Sequence, residues 1–368
     1  MRQGCRPCAA KEELDRRCGQ RRNANTEDTE NAIWLGADLI DEQLPVLVTG
    51  ASGHIGANLV RALLGQGRRV RVLVHRNTAA VDGLPVEVVR ADLLDAVCVL
   101  GACSGAGSVF HLAGKVSAGW ESPEEVHAIN VIGTRNVVDG CLAAGVKRLL
   151  HFSSIQALSG KDYVDEACDL VAPDDRSRGA YDRAKAEAER LVRSAAERGL
   201  CAIVLNPTAV LGPFDFQRSP MGEVLLALGR GKLPALVAGG SCDFVDVRDV
   251  ATAALAAERN GRGGERYILS GTRVSLVELA RTWASVTGRP APRWAVPMGL
   301  ARLAAPFAPA WARWRGQRPL FTPESLRVLR TQLPASQRKA EAELAYRPRP
   351  LDETLRDTCA WMKIQGWL

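Results

Sequence analysis

The sequence TGASGHIG, residues 49–56, follows a short apolar run at 46–48 and leads into a helix-like run at 55–64. Its glycines have the spacing G-x-x-G-x-x-G between a strand and a helix. In that context Gly50 permits a tight turn, Gly53 lets the backbone approach a pyrophosphate, and Gly56 lets the helix pack closely on the sheet. The free N–H groups of the helix N-terminus then face the phosphates. The stretch predicts a dinucleotide-binding turn.

Outward from this turn, short apolar runs alternate with amphipathic runs as far as about residue 206. The strand-like runs are rich in valine and leucine and apolar on both faces, which is typical of a buried parallel sheet. They lie at 46–49, 70–74, 86–89, 109–112, 148–152 and 202–205, and helix-like runs lie at 55–64, 123–144 and 181–197. The pattern predicts an α/β fold with a doubly wound parallel sheet of the Rossmann type.

The alternation divides the chain into three parts. Residues 1–44 are polar and poorly periodic, and we expect a disordered extension there. Residues 45–206 carry the predicted Rossmann domain, and residues 207–368 are expected to form a smaller, mixed substrate-binding lobe interleaved with it. Within the lobe, residues 291–316 combine Trp, Pro, Ala and Arg. We interpret them as an amphipathic helix pair over the substrate cleft, with a peripheral membrane contact as the alternative.

Composition sets further bounds. The 368 residues are 46% apolar and 24% charged, an ordinary globular balance, and the net charge is +7. Because the arginines are scattered and no basic tract is interleaved with aromatic residues, a nucleic-acid partner is not expected. Several of the ten cysteines, such as Cys141 and Cys201, fall in apolar runs, which indicates reduced thiols in a cytoplasmic protein. Cys5 and Cys8 form a C-x-x-C without a second pair, so no metal site is predicted.

The end of the second strand discriminates between the two nicotinamide dinucleotides. An acidic residue about 20 positions after the glycines would hold the ribose 2′-OH of NAD. This chain instead reads Val74-His75-Arg76-Asn77, with no acid. Arg76, helped by His75, suits a 2′-phosphate, so NADP(H) is the preferred cofactor and NAD(H) the alternative. The competing interpretation makes Arg76 an exposed residue at a strand end.

Two further strand ends complete the predicted cofactor site. Asp92 follows the third strand, where it is placed to accept a hydrogen bond from the adenine amino group. Ala113 and Gly114 follow the fourth strand and would lie under the cofactor. The predicted cofactor contacts on these segments are Gly50, Ser52, Gly53, His54, Ile55, Gly56, His75, Arg76, Asp92, Leu93, Leu112, Ala113 and Gly114.

Tyr181 and Lys185, in the run YDRAK, are four residues apart on one face of a predicted helix. A free tyrosine has a pKa of about 10, too high for a good base at neutral pH. The Lys185 ammonium and a positive nicotinamide would stabilise the phenolate and lower that pKa, and Lys185 can also hold the nicotinamide ribose. Ser154, at the end of the fifth strand, is placed to hydrogen-bond a substrate oxygen. These three residues are the predicted catalytic trio, and Tyr181 and Lys185 are also predicted cofactor contacts.

A family resemblance is carried by TGASGHIG (49–56), ADL (91–93), VFHLAG (109–114), NVIGT (130–134), SS (153–154), YDRAK (181–185) and NPTAVLGP (206–213). With these motifs, residues 45–366 resemble the extended short-chain dehydrogenases/reductases, the NAD-dependent epimerase/dehydratase family. The runs DFVDVRDVA (243–251) and YRPRPLDETLRDT (346–358) are similar to the bacterial branch near dihydroflavonol reductases and hopanoid-associated epimerase-like proteins. The 3β-hydroxysteroid dehydrogenases are also similar.

The resemblance implies roles for residues in matching positions. The catalytic roles fall on the trio, with Asn130 supporting the site. Pro207 and Thr208 would contact the nicotinamide end of the cofactor. The resemblance also implies a homodimer formed through the helices at about 121–144 and 181–198.

Two departures from the family bear on the substrate. Epimerases of sugar nucleotides usually have an arginine before the Asp-aromatic pair of the later strand, where this chain has Cys242. They also tend to have an asparagine three residues before the Gly-Pro, where this chain has Ala209. Both changes remove partners for a nucleotide diphosphate, which weighs against a UDP-sugar and favours an uncharged, apolar carbonyl or alcohol.

Three functions are consistent with these residues. The favoured one is an NADPH-dependent carbonyl reductase of the dihydroflavonol-reductase or hydroxysteroid-dehydrogenase type, acting on a small-molecule substrate. The second is an epimerase or dehydratase of a sugar-like substrate, whose cofactor would stay bound through each turnover. The third is a non-catalytic NADP-sensing protein, against which the intact trio argues.

Overall fold

The computed structural model describes residues 41–117, 119, 121–307 and 322–368. Its strands are β1 Val46–Thr49, β2 Val70–Val74, β3 Glu87–Arg90, β4 Ser108–His111, β5 Arg148–Phe152, β6 Leu158–Ser159, β7 Asp169–Leu170, β8 Cys201–Pro207, β9 Ala209–Leu211, β10 Ala235–Ala238, β11 Ser241–Asp246, β12 Arg266–Leu269, β13 Thr272–Ser275 and β14 Trp294–Pro297. The main sheet has the order β12-β8-β5-β4-β1-β2-β3, and every neighbouring pair in it is parallel. The predicted doubly wound parallel sheet is confirmed.

Alternate residues of the central strands bury against opposite faces of the sheet. Val46 and Val48 of β1 belong to one apolar cluster, and Leu47 belongs to another on the opposite face. All three side chains are fully buried, as expected for a strand covered on both sides. The strand order reverses on either side of β1, so the carboxyl ends of β1 and β4 border a crevice of the kind in which ligands bind.

The helices are α1 His54–Gly65, α2 Ala96–Cys103, α3 Pro123–His127, α4 Gly133–Ala144, α5 Ala180–Glu197, α6 Pro220–Gly229, α7 Val247–Asn260, α8 Leu276–Thr287, α9 Met298–Ala304, α10 Pro323–Thr331, α11 Arg338–Leu344 and α12 Leu351–Ile364. A π-helical turn, Ala128–Ile132, interrupts the helix expected at 123–144. Helix α2 was not expected from the sequence, and its N-cap Asp95 accepts hydrogen bonds from the N–H groups of Val97 and Cys98.

The second half of the chain forms two small sheets, β13-β11-β9 and β10-β14. A third small sheet, β6-β7, lies in the segment between β5 and α5. Helices α6, α8 and α12 contribute to a second apolar core that contains Trp283 and Trp361. Strand β12 comes from this half of the chain, yet it pairs with β8 of the main sheet. The chain therefore leaves the Rossmann sheet, builds part of the lobe and returns to the sheet.

Some sequence-based expectations fall outside the described residues. They include residues 1–40 of the expected extension, Cys5, Cys8, and residues 308–316 of the segment rich in Trp and Arg. The seven cysteines within the described ranges are free thiols, and Cys98 is exposed, unlike the buried Cys141 and Cys201. In the described part of the chain, no helix has the length and hydropathy needed to cross a membrane.

Candidate active site at the carboxyl ends of the sheet

The turn after β1 is shaped by its glycines. Gly50 has a φ of +70°, and a Cβ built on it would lie 2.5 Å from the backbone nitrogen of Ala113. A Cβ on Gly56 would lie 2.2 Å from the carbonyl oxygen of Gly50, so α1 can follow β1 this closely only with glycine there. Gly53 is the N-cap of α1, and no side chain of the described chain caps that end. The free N–H groups and the space kept by the glycines fit a dinucleotide pyrophosphate.

Hydrogen bonds join the ends of β1 and β4. Oγ1 of Thr49 accepts from the backbone N–H of Ala113 (3.2 Å) and lies 2.8 Å from Nδ1 of His111. Nε2 of His111 lies 2.9 Å from Oγ1 of Thr134. Burial lowers the pKa of His111 to about 3, so a neutral imidazole bridges the two threonines. The bridge holds the segment that begins with Leu112 beside the glycine turn.

His75 and Asp92 approach each other where β2 and β3 end, and Arg76 follows His75 in the chain. Nε2 of His75 is 3.8 Å from Oδ2 of Asp92, and both side chains are more than half exposed. Arg76 is exposed as well, and the described residues offer its guanidinium no hydrogen bond or ion pair. The side chain of Leu93 is buried against Gly133 of α4, so a cofactor contact at Leu93 would come from its backbone.

The predicted trio converges at the end of β5. Ser154 lies two residues after the strand, and Tyr181 and Lys185 lie in the first two turns of α5. The hydroxyl of Ser154 lies near that of Tyr181 and lowers the Tyr181 pKa. Nζ of Lys185 donates to the carbonyl oxygen of Phe152, the last residue of β5, at 2.6 Å. The hydroxyls and the ammonium are thus brought together as the sequence predicts.

Burial dominates the electrostatics of the trio in this structure. Burial raises the pKa of Tyr181 to about 12, while the nearby hydroxyl of Ser154 lowers it and the Asp182 carboxylate raises it. Burial also lowers the pKa of Lys185 itself to about 8, against the opposing effect of Glu189, and its ammonium donates to a backbone carbonyl. Tyr181 is therefore a protonated phenol at neutral pH, and Lys185 titrates just above neutrality.

Asn130 supports the site through the loop after β4. It is buried within the π-helical turn, and its Nδ2 donates to the carbonyl oxygens of Lys115 and Val126, both at 2.9 Å. Its Oδ1 accepts from the backbone N–H of Lys115 at 3.2 Å. A Cβ on Gly114 would lie 2.7 Å from Oδ1 of Asn130 and 3.7 Å from Nζ of Lys185. Asn130 thus fixes the loop that passes beside Lys185.

Two predicted cofactor contacts use their side chains to hold the lobe. Nε2 of His54 lies 3.1 Å from the carbonyl oxygens of both Gly212 and Pro213, in the segment after β9. Oγ1 of Thr208, the residue after Pro207 at the end of β8, donates to Oδ1 of Asp243 at 2.7 Å. In this arrangement the contacts of His54 and Thr208 with a cofactor would come from their backbones.

A buried network behind the trio was missed from the sequence. Glu189 of α5 is fully buried, and its Oε1 is 2.9 Å from Nε of Arg266 on β12. Nδ2 of Asn206 donates to Oε2 of Glu189 (2.9 Å) and to the carbonyl oxygen of Ser154 (3.1 Å). The signal that could have found Glu189 is its spacing, since it continues the four-residue step from Tyr181 along the same helix face.

A second missed contact ties the lobe to the catalytic helix. Oδ2 of Asp182, which is almost fully buried next to Tyr181, lies 2.6 Å from a terminal nitrogen of Arg327 on α10. Glu324 lies 2.5 Å from the same Arg327 nitrogen. Burial raises the pKa of Asp182, and Arg327 opposes that rise. No sequence pattern joins the two, because 145 residues separate them.

The chain is similar in sequence to known proteins. The family model "NAD dependent epimerase/dehydratase family" matches residues 46–270. Sterol demethylase protein B of Methylococcus capsulatus is 34% identical over 332 residues, which cover 88% of this chain and 100% of that protein. The 2-alkyl-3-oxoalkanoate reductase of Stenotrophomonas maltophilia is 31% identical over 75% of this chain and 87% of its own length.

Among solved structures, that of MoeE5 in complex with UDP-glucose and NAD has a TM-score of 0.69 and 26% sequence identity. The match covers 88% of this chain and 99% of the other. The family match spans the glycine turn, the trio and Asn130, which the structure brings to one end of the sheet. The chain therefore belongs to the NAD-dependent epimerase/dehydratase family, and it is an NAD(P)-dependent enzyme of the extended short-chain dehydrogenase/reductase type.

Proposed function

We propose that this enzyme uses NADP(H) to transfer hydride to or from a carbonyl or alcohol of a small apolar substrate. The observation that carries the proposal is the apolar character of two neighbouring strands of the lobe. Ala209 of β9 pairs with Phe244 of β11, and Cys242 lies two residues earlier on β11. Ala209 and Cys242 both pack against the apolar core of the lobe. Burial raises the pKa of Cys242 to about 11, so it offers no charge to a diphosphate.

The trio supports proton transfer to a substrate carbonyl. With a pKa raised to about 12, Tyr181 carries its proton at neutral pH and can donate it to the carbonyl oxygen. Ser154, whose hydroxyl lies near that of Tyr181, would hydrogen-bond the same substrate oxygen. The Lys185 ammonium, one helical turn away, would stabilise the phenolate that remains. The nicotinamide, when bound, supplies or accepts the hydride.

Two comparisons bear on the substrate class. The relative in Methylococcus is named for sterol demethylation, which supports an apolar alicyclic substrate for this chain. The MoeE5 complex contains UDP-glucose and supports the alternative, an epimerase or dehydratase of a sugar-like substrate. The purified protein discriminates the two: a tightly retained dinucleotide favours the epimerase, and an empty site that turns over added NADPH favours the reductase.

Cofactor preference is tested by Arg76→Asp. Because Arg76 is exposed at the end of β2 and no acid follows that strand, the substitution should weaken NADPH binding far more than NADH binding. Loss of a charge-assisted contact of about 1.5–3 kcal/mol corresponds to a roughly 10- to 150-fold rise in the NADPH dissociation constant. Titration of nicotinamide fluorescence measures both constants. Arg281→Asp, the same charge change at an exposed position of α8, is the control and should leave them unchanged. Equal affinity of the unmodified protein for NADPH and NADH would contradict the proposed preference for NADP(H).

Lys185 should set the alkaline limit of activity. Because burial lowers its pKa to about 8, the ammonium is lost as the pH rises through that value. The second-order rate constant kcat/KM for NADPH-dependent reduction should therefore fall above about pH 8, since this ratio reports the ionisations of the free enzyme. Lys185→Met should be slower, bind the cofactor more weakly and show no fall in this range. An unchanged alkaline limb in Lys185→Met would assign the titration to another group.

A further inference from the structure

Strand β14, helix α9 and the 3-10 turn Ala305–Phe307 carry an exposed apolar surface. Trp294, Leu300, Leu303 and Phe307 are 76%, 59%, 72% and 74% exposed. We call these four side chains the docking patch. Large apolar residues occur singly on most soluble proteins, but here four of them lie within 14 consecutive residues. An apolar concentration of this kind marks an interaction site.

The apolar residues of α9 and of the 3-10 turn that follows it lie on two faces. Met298, Ala301 and Ala305 pack against the core of the lobe. Leu300 and Leu303 are three residues apart on the other side, and Phe307 follows four residues later. Packing within the protein explains the first set and leaves the second set exposed, so the outward residues are available to another surface.

The stretch of sequence that contains the docking patch carries charge of one sign. Residues 289–321 contain six arginines and no Asp, Glu or Lys, so this segment carries a charge of +6 out of the net +7 of the chain. Arg289, Arg293 and Arg302 are exposed, and the other three arginines and two further tryptophans belong to residues 308–321. The arginines are scattered along the chain, but its net charge is concentrated here.

We propose that the docking patch binds the surface of a lipid bilayer with anionic headgroups. Apolar side chains flanked by arginines and tryptophan suit that surface, because the apolar groups enter the headgroup–acyl boundary while the guanidinium groups contact phosphates. A second copy of this chain fits less well, because two surfaces of the same high positive charge would face each other. The patch anchors the protein peripherally through the lobe.

The position of the patch relative to the trio gives the docking a consequence. Helix α9 packs against α10, and Arg327 of α10 pairs with Asp182 beside Tyr181. Only α10 would therefore separate a bilayer bound to α9 from α5, the helix that carries Tyr181 and Lys185. This placement would let an apolar substrate pass from the membrane to the site. That consequence rests on the proposed function, whereas the docking itself does not.

Vesicle flotation tests the docking without a substrate. The full chain is mixed with vesicles of phosphatidylcholine alone or of phosphatidylcholine with phosphatidylglycerol. Binding should be strong only to the anionic vesicles and should fall with added salt. The partition coefficient should fall about fivefold for each single change of an exposed arginine, Arg289→Gln, Arg293→Gln or Arg302→Gln. It should fall at least about tenfold for the triple change Leu300→Ser, Leu303→Ser, Phe307→Ser.

Matched controls separate docking from a general loss of surface hydropathy. Val97→Ser and Ile364→Ser change two side chains that are each 79% exposed on other helices, and neither should alter vesicle binding. The docking variants should keep the melting temperature of the unmodified protein. Failure of the unmodified chain to bind anionic vesicles, or equal binding by the triple variant, overturns the proposal. A lower melting temperature of the triple variant also overturns it, because that result would show that the same chain covers the patch. A dimer of the unmodified protein in sedimentation equilibrium that the triple variant disrupts overturns it as well.

Discussion

Tyr181→Phe is expected to lower turnover by at least about 10²-fold, the usual scale of general acid–base catalysis. The change removes only the hydroxyl, and the ring can stay packed against the cluster of Val126, Val131 and Ala184. No other member of the trio can replace the lost acid. The Lys185 ammonium is directed to a backbone carbonyl, and the Ser154 hydroxyl is a much weaker acid than a phenol. Turnover is measured with NADPH and a panel of aromatic and alicyclic ketones.

The matched control for this prediction is Tyr163→Phe, which removes the same hydroxyl from a side chain that is 57% exposed. It should leave turnover unchanged. Both variants should keep the melting temperature and the NADPH dissociation constant of the unmodified protein, since each removes only one oxygen atom and keeps the ring. If Tyr181→Phe keeps more than about a third of the turnover when chemistry limits the rate, the catalytic assignment is wrong.

Six of the seven strands of the main sheet could be predicted, because each of those six is marked locally, whereas β12 was not predicted. The runs at 46–49, 70–74 and 148–152 coincide with β1, β2 and β5, since strands buried on both faces need continuous apolar residues. Helix α2 was not predicted because its sequence, AVCVLGAC, is apolar on every side and lacks the period of an amphipathic helix. Its start is marked only by the cap Asp95.

The candidate site was predictable where its residues follow strands or repeat along one helix. Ser154, Tyr181 and Lys185 meet those conditions, and the structure brings them together. The pKa of Tyr181 was not predictable, because it depends on how deeply the fold buries the phenol and on which partner the lysine takes. Contacts such as Asp182–Arg327 join parts of the chain that only the three-dimensional fold brings close.

The buried pair of Glu189 and Arg266 leads to the second large effect. Arg266→Met removes the cation 2.9 Å from a carboxylate that has no exposed surface. Breaking a buried ion pair in this way leaves an uncompensated charge and should lower the free energy of unfolding by about 3–5 kcal/mol. Urea denaturation followed by circular dichroism measures the change. The control is Arg262→Met, because Arg262 pairs with Glu343 at 2.6 Å but is 54% exposed, and its loss should cost less than about 1 kcal/mol.

A second substitution shows whether the buried charge is the cause. Glu189→Gln introduced together with Arg266→Met removes the uncompensated carboxylate and keeps an acceptor for Nδ2 of Asn206, so the pair should recover most of the lost stability. If the double variant is as unstable as the single one, lost packing of the arginine side chain explains the effect, and the carboxylate is not its source.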